Sequence, residues 1–101
     1  MRVITGTARG VKLETLTGEA VRPTSEKTKE AVFSAIQFDI EGRRVLDLFA
    51  GSGQLGIEAL SRGATRAVFT DASAESVEII KRNIKKAGFD KESVVSRIDY
   101  A

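Results

Sequence analysis

Three glycines and two aspartates at a characteristic spacing are the residues of this chain best suited to chemistry. Gly51, Gly53 and Gly56 lie in the stretch GSGQLG, Asp47 precedes Gly51 by four residues, and Asp71 follows it by 20. Glycines of a G-x-G-x-x-G pattern leave the backbone bare, so a ligand can lie against it. An acid about 20 residues further on can accept hydrogen bonds from ribose hydroxyls. The pattern predicts a site for an adenosine-bearing cofactor.

The charge of Asp47 bears on which cofactor that is. A dinucleotide would place its pyrophosphate over the glycine loop, where the carboxylate of Asp47 would repel it. S-adenosylmethionine instead carries an ammonium and a sulfonium, which a carboxylate attracts, and its own carboxylate can bind amides at a helix start. Asp47 therefore favours S-adenosylmethionine. The alternative is that Asp47 only caps the loop by bonding backbone amides and touches no ligand.

The elements that must position these residues alternate along the second half of the chain. The pattern predicts, in order, a strand in RRVLDLF, a helix in GQLGIEALSRG, a strand in RAVFTD, a helix in SAESVEIIKRNIKKAG and a strand in SVVSRID. Ser73 is the predicted N-cap of the second helix and Gly88 its terminator. This β-α-β-α-β order predicts an α/β fold with a parallel sheet.

The handedness of the crossovers has a consequence for the sheet. Two right-handed crossovers that step in one direction place both helices on the same face. Parallel sheets are normally covered on both faces, so we expect this chain to be part of a longer protein or to use a partner surface. The bare face and the open strand edge predict self-association of the fragment.

The first part of the chain has a different pattern. Alternation on either side of Gly6 and Gly10 in MRVITGTARGVKLETL predicts a β-hairpin, and RPTSEKTKEAVFSAIQF predicts a helix after Pro23. We accordingly divide the chain into a hairpin arm at residues 1–22 and an incomplete cofactor-binding domain at residues 23–101.

Composition excludes several kinds of chemistry. The 101 residues include no Cys and no His, which removes disulfides, thiolate chemistry, imidazole bases and the usual zinc sites, and we expect no metal site. The net charge of +2 is too small to indicate nucleic-acid binding by itself. No apolar run approaches the roughly 20 residues that cross a bilayer, and no leader-like segment opens the chain. We therefore expect a cytoplasmic protein without membrane partners.

The stretch DLFAGSGQLGIEALSRGA resembles the first motif of class I S-adenosylmethionine-dependent methyltransferases. The residues DLFAGSG, LG and EALSRGA within it are similar to the same motif in a narrower group, the bacterial family that methylates a guanine exocyclic amine of small-subunit ribosomal RNA. RVITGTARGVKL and RPTSEKTKEAVFSAI resemble that family's opening hairpin and a helix that helps line its pocket. The resemblance implies a Rossmann-like fold, here a truncated three-stranded half-sheet with an N-terminal hairpin and helix. It also implies S-adenosyl-L-methionine as cofactor and ribosomal RNA or the small ribosomal subunit as partner.

The resemblance also implies roles for individual residues. Asp47, Gly51 and Gly53 would frame the methionine end, Asp71 would take the ribose hydroxyls, and Asp99 with the Tyr100 amide would face the adenine. The cofactor-binding candidates are Asp47, Phe49, Gly51, Ser52, Gly53, Asp71, Ala72, Asp99, Tyr100 and Thr24. Phe49 also fits a core position, as aromatic residues in strands often do.

The chemistry of methyl transfer sets a further expectation. Transfer to an exocyclic amine needs acceptors that orient the amine, and the resembled family supplies them in an acid-or-amide, Pro-Pro, aromatic motif. This sequence has one proline, Pro23, so we assign no catalytic residue and expect the chain alone to bind the cofactor weakly without methylating RNA. Contacts to RNA phosphates would come from Arg2, Arg9, Lys12 and Arg22.

Three alternatives stay open on the sequence alone. GSGQLG with Asp71 also permits a fragment of a nicotinamide-dependent oxidoreductase, which the charge of Asp47 opposes. The lack of a Pro-Pro motif permits a non-catalytic RNA-binding module. A methyltransferase with a DNA, protein or small-molecule acceptor also fits the glycine motif.

Overall fold

The computed structural model describes residues 2–15, 42–47 and 51–98 of the chain. Its elements in these ranges are β1 (Arg44–Asp47), α1 (Gln54–Ser61), β2 (Arg66–Asp71), α2 (Ala74–Ala87), a 3-10 helix (Asp90–Glu92) and β3 (Ser93–Arg97). The predicted alternation of strands and helices is confirmed. The helix predicted after Pro23 lies outside the described residues. Neither α1 nor α2 is long and apolar enough to cross a membrane.

The three strands form one parallel sheet in the order β1-β2-β3. Helix α1 packs against β1 and β2, helix α2 packs against β2 and β3, and the two helices touch each other. This arrangement agrees with the prediction that both crossovers place their helices on one face. In register on the other face lie Leu46, Val68 and Val94, and Leu46 is 63% exposed. Self-association through that face stays a prediction.

The core lies between the sheet and the two helices, with Phe69 of β2 at its centre. Phe69, Ile57 and Ile80 are fully buried, since strand alternation and helical spacing turn their side chains to the same interior. A Cβ on Gly56 would lie 2.3 Å from Cε1 of Phe69. The third glycine of the motif therefore serves close packing of helix on strand rather than ligand access.

Helix α2 begins and ends at the predicted residues. The Ser73 hydroxyl accepts a hydrogen bond from the Ser76 amide at 3.3 Å, and Gly88 takes a left-handed conformation with φ of 81°. Lys85 and Lys86 lie in the last turn, where positive charge interacts favourably with the helix dipole. Local sequence signals thus set both ends of this helix.

The N-terminal segment, residues 2–15, reverses direction as predicted, but not as two paired strands. A single antiparallel bridge joins Arg2 and Lys12. A Cβ on Gly6 would lie 1.7 Å from the carbonyl oxygen of Ser61, so the turn sits directly on the end of α1. The Val3 amide still bonds across the turn to the Val11 carbonyl, but the amides of Ile4 and Thr5 bond to α1, which explains the reduced strand pairing. The buried side chains of this segment, Val3, Ala8 and Leu13, join the core cluster.

Candidate functional site

The glycine loop connects β1 to α1 at the carboxyl ends of the parallel strands, the usual ligand-binding edge of such sheets. Gly51 has a φ of 62° and Gly53 a φ of 81°, conformations that residues with a Cβ rarely adopt. Gly53 is the N-cap of α1 and offers no side-chain hydrogen bond to the helix. The first turn of α1 therefore takes its partners from elsewhere in the fold.

Asp47 provides one of those partners. Its Oδ2 accepts a hydrogen bond from the Gly56 amide at 3.2 Å, so the local capping role considered for this residue is present. The side chain is nearly buried, and this burial raises the pKa of Asp47 to about 6. The Gly56 hydrogen bond lowers this pKa, whereas the neighbouring charge of Asp71 raises it. A cation placed beside Asp47 would relieve this unfavourable charge.

Asp71, at the end of β2, ties the loop to the next crossover. Its Oδ2 accepts from the Gly51 amide at 3.0 Å, and its Oδ1 accepts from the Ser73 amide at 2.9 Å. Ala72 follows on the surface, and its carbonyl accepts from Nε of Arg97 at 3.0 Å. One edge of the sheet thereby holds six of the predicted cofactor residues, namely Asp47, Gly51, Ser52, Gly53, Asp71 and Ala72.

Sequence reasoning missed Asn83, which reaches the glycine loop from α2. Its Nδ2 donates to the carbonyl oxygen of Ser52 at 2.8 Å, and both residues are fully buried. One signal was available, because Asn83 follows Ile80 by three residues and directly precedes Ile84 on the buried stripe of the helix. A polar residue in such a stripe indicates a buried hydrogen-bond partner.

Glu58 was also missed and holds the N-terminal segment to α1. Its carboxylate accepts from the amides of Ile4 at 2.9 Å and Thr5 at 3.0 Å, and from Nε of Arg62 at 2.9 Å. Ser61 adds further bonds, because its hydroxyl donates to the carbonyl oxygen of Thr5 at 2.6 Å. Glu58 therefore holds the N-terminal segment to α1, a structural role that no sequence motif predicts.

The remaining predicted site residues fall into two groups. Three of the predicted RNA contacts, Arg2, Arg9 and Lys12, are exposed on the N-terminal segment, as a contact to RNA would require. Outside the described residues lie Thr24, Phe49, Asp99, Tyr100 and Arg22.

Comparison with known proteins assigns the chain to a family. Residues 1–100 match the model of a family described as "Conserved hypothetical protein 95". The chain belongs to this family. It is 44% identical over 99 residues to "Putative rRNA methyltransferase YlbH" of Bacillus subtilis, covering 98% of the chain and 54% of that protein. It is 40% identical over 82 residues to "Ribosomal RNA small subunit methyltransferase D" of Escherichia coli, covering 80% of the chain and 41% of that protein.

A solved methyltransferase structure agrees with the described fold. The "Putative methyltransferase yhhF" of Escherichia coli superposes with a TM-score of 0.86 at 31% identity, over 98% of this chain and 54% of that one. The predicted class I methyltransferase fold and the resemblance to ribosomal RNA methyltransferases are confirmed. An oxidoreductase is not favoured by these relatives. The chain spans about half the length of the curated relatives it matches.

Proposed function

We propose that this family member forms the cofactor-binding half of an S-adenosylmethionine-dependent methyltransferase that acts on ribosomal RNA. The names of the relatives support ribosomal RNA as the substrate, and the sequence resemblance points to a guanine exocyclic amine of the small subunit. The observation that carries the cofactor assignment is the buried carboxylate of Asp47, next to Asp71 and below a glycine loop in left-handed conformation.

Each group at this edge has a role in the proposal. Asp47 attracts the ammonium and sulfonium of the cofactor, and the Gly53 amide meets its carboxylate. The Gly51 amide bonds to Asp71 and holds the loop in place. Asp71 accepts bonds from the ribose hydroxyls, since each carboxylate oxygen retains a second lone pair beside its backbone bond. When bound, the cofactor supplies an electrophilic methyl group. The protein residues bind it, orient it and neutralise its charge.

Other assignments belong to the same proposal. Ser52 and Ala72 complete the described edge, while Thr24, Phe49, Asp99 and Tyr100 are proposed cofactor contacts from the resemblance alone. The proposed RNA contacts are Arg2, Arg9, Lys12 and Arg22. We also keep the division into an RNA-contacting region at residues 1–22 and a cofactor-binding region at residues 23–101.

Calorimetry with two cofactors tests the assignment. We expect the chain to bind S-adenosylmethionine and not NAD+, because only the former brings positive charge to Asp47. Asp47→Asn should weaken S-adenosylmethionine binding about tenfold or more, since it removes one close charge partner. Asp90→Asn removes an exposed acid from the 3-10 helix and is the matched control with unchanged affinity. Preference for NAD+ would reject the proposal.

Transfer of the methyl group is a separate measurement. A chain with a single proline holds no Pro-Pro motif to orient the acceptor amine. We therefore expect this 101-residue polypeptide to bind cofactor without labelling unmethylated small-subunit RNA from methyl-labelled S-adenosylmethionine. Stoichiometric transfer by the purified polypeptide would show that the acceptor site is built from other residues.

A further inference from the structure

Asn83 is fully buried in α2 and links three parts of the chain that lie far apart in sequence. Its Nδ2 donates to the carbonyl oxygens of Ser52 at 2.8 Å and Glu14 at 2.9 Å, and its Oδ1 accepts from the Glu14 amide at 2.7 Å. These bonds use both hydrogens of the amide group and one of its acceptor positions. An asparagine held in this way cannot turn without losing buried hydrogen bonds.

The backbone of Glu14 fixes which end of the amide faces the glycine loop. The Glu14 N–H can only donate, so the atom of Asn83 opposite it must be the oxygen. The NH2 group must then face the carbonyl oxygens of Glu14 and Ser52. Aspartate at position 83 would keep the bond from the Glu14 amide but would point an oxygen at two carbonyl oxygens.

Holding the Ser52 carbonyl has a consequence for the next residue. In a planar trans peptide the C=O and the following N–H point in opposite directions. Because the Ser52 carbonyl points at Asn83 in the buried face of α2, the Gly53 N–H points away from α2. Left-handed Gly53 then begins α1, where amides are suited to bind an anion.

We propose that Asn83 is a positioning residue, which sets the Ser52–Gly53 peptide so that the Gly53 amide receives the carboxylate of the cofactor. Asn83 itself touches no cofactor atom in this arrangement. The inference rests on the proposed function and adds to it the residue that orients the amide facing the cofactor's carboxylate. It also gives a physical reason for a fully buried amide on the core stripe of α2.

The test compares S-adenosylmethionine with its decarboxylated form, which keeps the ammonium and sulfonium but lacks the carboxylate. The wild-type chain should bind the complete cofactor about tenfold more tightly, the size expected for a hydrogen bond to a charged group. Asn83→Asp should reduce this preference to about threefold or less. The matched control is Ile84→Val, which lowers stability at the next buried position of the helix and should keep the tenfold preference.

Outcomes separate the inference from the proposed function. If the wild-type chain binds neither compound, both are rejected. If it binds S-adenosylmethionine but Asn83→Asp weakens both compounds equally, the proposed function stands and Asn83 is merely structural. Equal binding of both compounds by the wild-type chain would also overturn the inference.

A second measurement uses the wild-type chain alone and decides the matter if Asn83→Asp does not fold. In the nitrogen-15-labelled protein, the Gly53 amide proton resonance should move downfield with S-adenosylmethionine and stay in place with the decarboxylated compound. A Gly53 resonance that responds equally to the two compounds would reject the inference.

Discussion

Two buried carboxylates at α1, Glu58 within the helix and Asp47 at the end of the preceding strand, have opposite roles. Glu58 is fully buried, accepts two backbone amides of the N-terminal segment and pairs with Arg62 in an i,i+4 salt bridge. Asp47 is nearly as buried, caps the start of the same helix through Gly56 and faces the like charge of Asp71. The charge of Glu58 is compensated within the protein, whereas burial raises the pKa of Asp47 to about 6, with a further increase from the charge of Asp71.

The difference teaches how a structural acid and a binding acid can be distinguished without a ligand. A buried carboxylate with a cation and two amide donors is stabilised by the fold and rigidifies it. A buried carboxylate beside another carboxylate gains stability only when a cation arrives from outside. Removing Glu58 should therefore damage the fold, whereas removing Asp47 should damage binding while sparing the fold.

The largest expected effect is on stability at position 58. Glu58→Gln replaces an acceptor oxygen by an NH2 group that faces donors, and removes the negative charge that pairs with Nε of Arg62. We expect a loss of about 3 kcal/mol in the free energy of unfolding at pH 7. Urea titration followed by circular dichroism measures it. The control Glu75→Gln, at an exposed position in α2, should change stability by less than about 0.5 kcal/mol. A loss at position 58 no larger than the control's would contradict the comparison.

At position 47, in contrast to position 58, the ionised carboxylate should lower the stability of the fold, so stability should depend on pH. Its pKa is about 6 in the folded chain against an ordinary value of 3.8, so the folded state holds this proton more tightly than the unfolded state. The associated stability is fully present below about pH 4 and is lost as the pH rises to about 6, a total of about 3 kcal/mol.

Asp47→Asn isolates this contribution, because asparagine stays neutral throughout. We expect the variant to match the wild-type chain near pH 4 and to exceed its stability by about 2 to 3 kcal/mol at pH 7. Urea titrations of both proteins at several pH values measure the difference. An Asp47→Asn chain less stable than wild type at pH 7 would mean that the charge is compensated after all.

Cofactor affinity should follow the same ionisation with a smaller effect. Protonated Asp47 cannot attract a cation, so S-adenosylmethionine binding should weaken below pH 6, by up to about tenfold per pH unit. Calorimetry near pH 6 in buffers of different ionisation enthalpy should detect proton release on binding. Asp47→Asn should bind with little pH dependence between pH 5 and 7. A wild-type affinity that is flat over this range would place the cofactor's charge away from Asp47.

How far the sequence predicts this molecule depends on the range of the interactions involved. Ser73 and Gly88 act on their own helix, and alternation reveals the strands, so helix ends and strand order follow from local patterns. The roles of Glu58 and Asn83 depend on partners 31 to 69 residues away in the sequence. No local periodicity encodes such pairs.

The same reasoning applies to the two ends of α1. Asp47 and Asp71 could be predicted because strand ends of a parallel sheet meet at one edge. The packing of the N-terminal turn on the end of α1, in place of full strand pairing, could not be predicted. Gly6 meets Ser61 only in the folded chain. The sequence predicts a hairpin there because the alternation favours one and reveals no competing partner.

The smallest expected effect concerns the surface that Glu58 anchors. Arg9 and Lys12 are exposed on the N-terminal segment. If both contact phosphates, replacing them by Gln should reduce the dependence of log affinity on log salt concentration for small-subunit RNA by about 1.4. Lys85→Gln with Lys86→Gln makes the same charge change at the end of α2 and should leave that slope unchanged. Equal loss of slope in both double variants would indicate that RNA responds to net charge alone. A reduced salt dependence in the Arg9 and Lys12 variant alone would show that the N-terminal segment, which Glu58 holds to α1, contacts RNA phosphates.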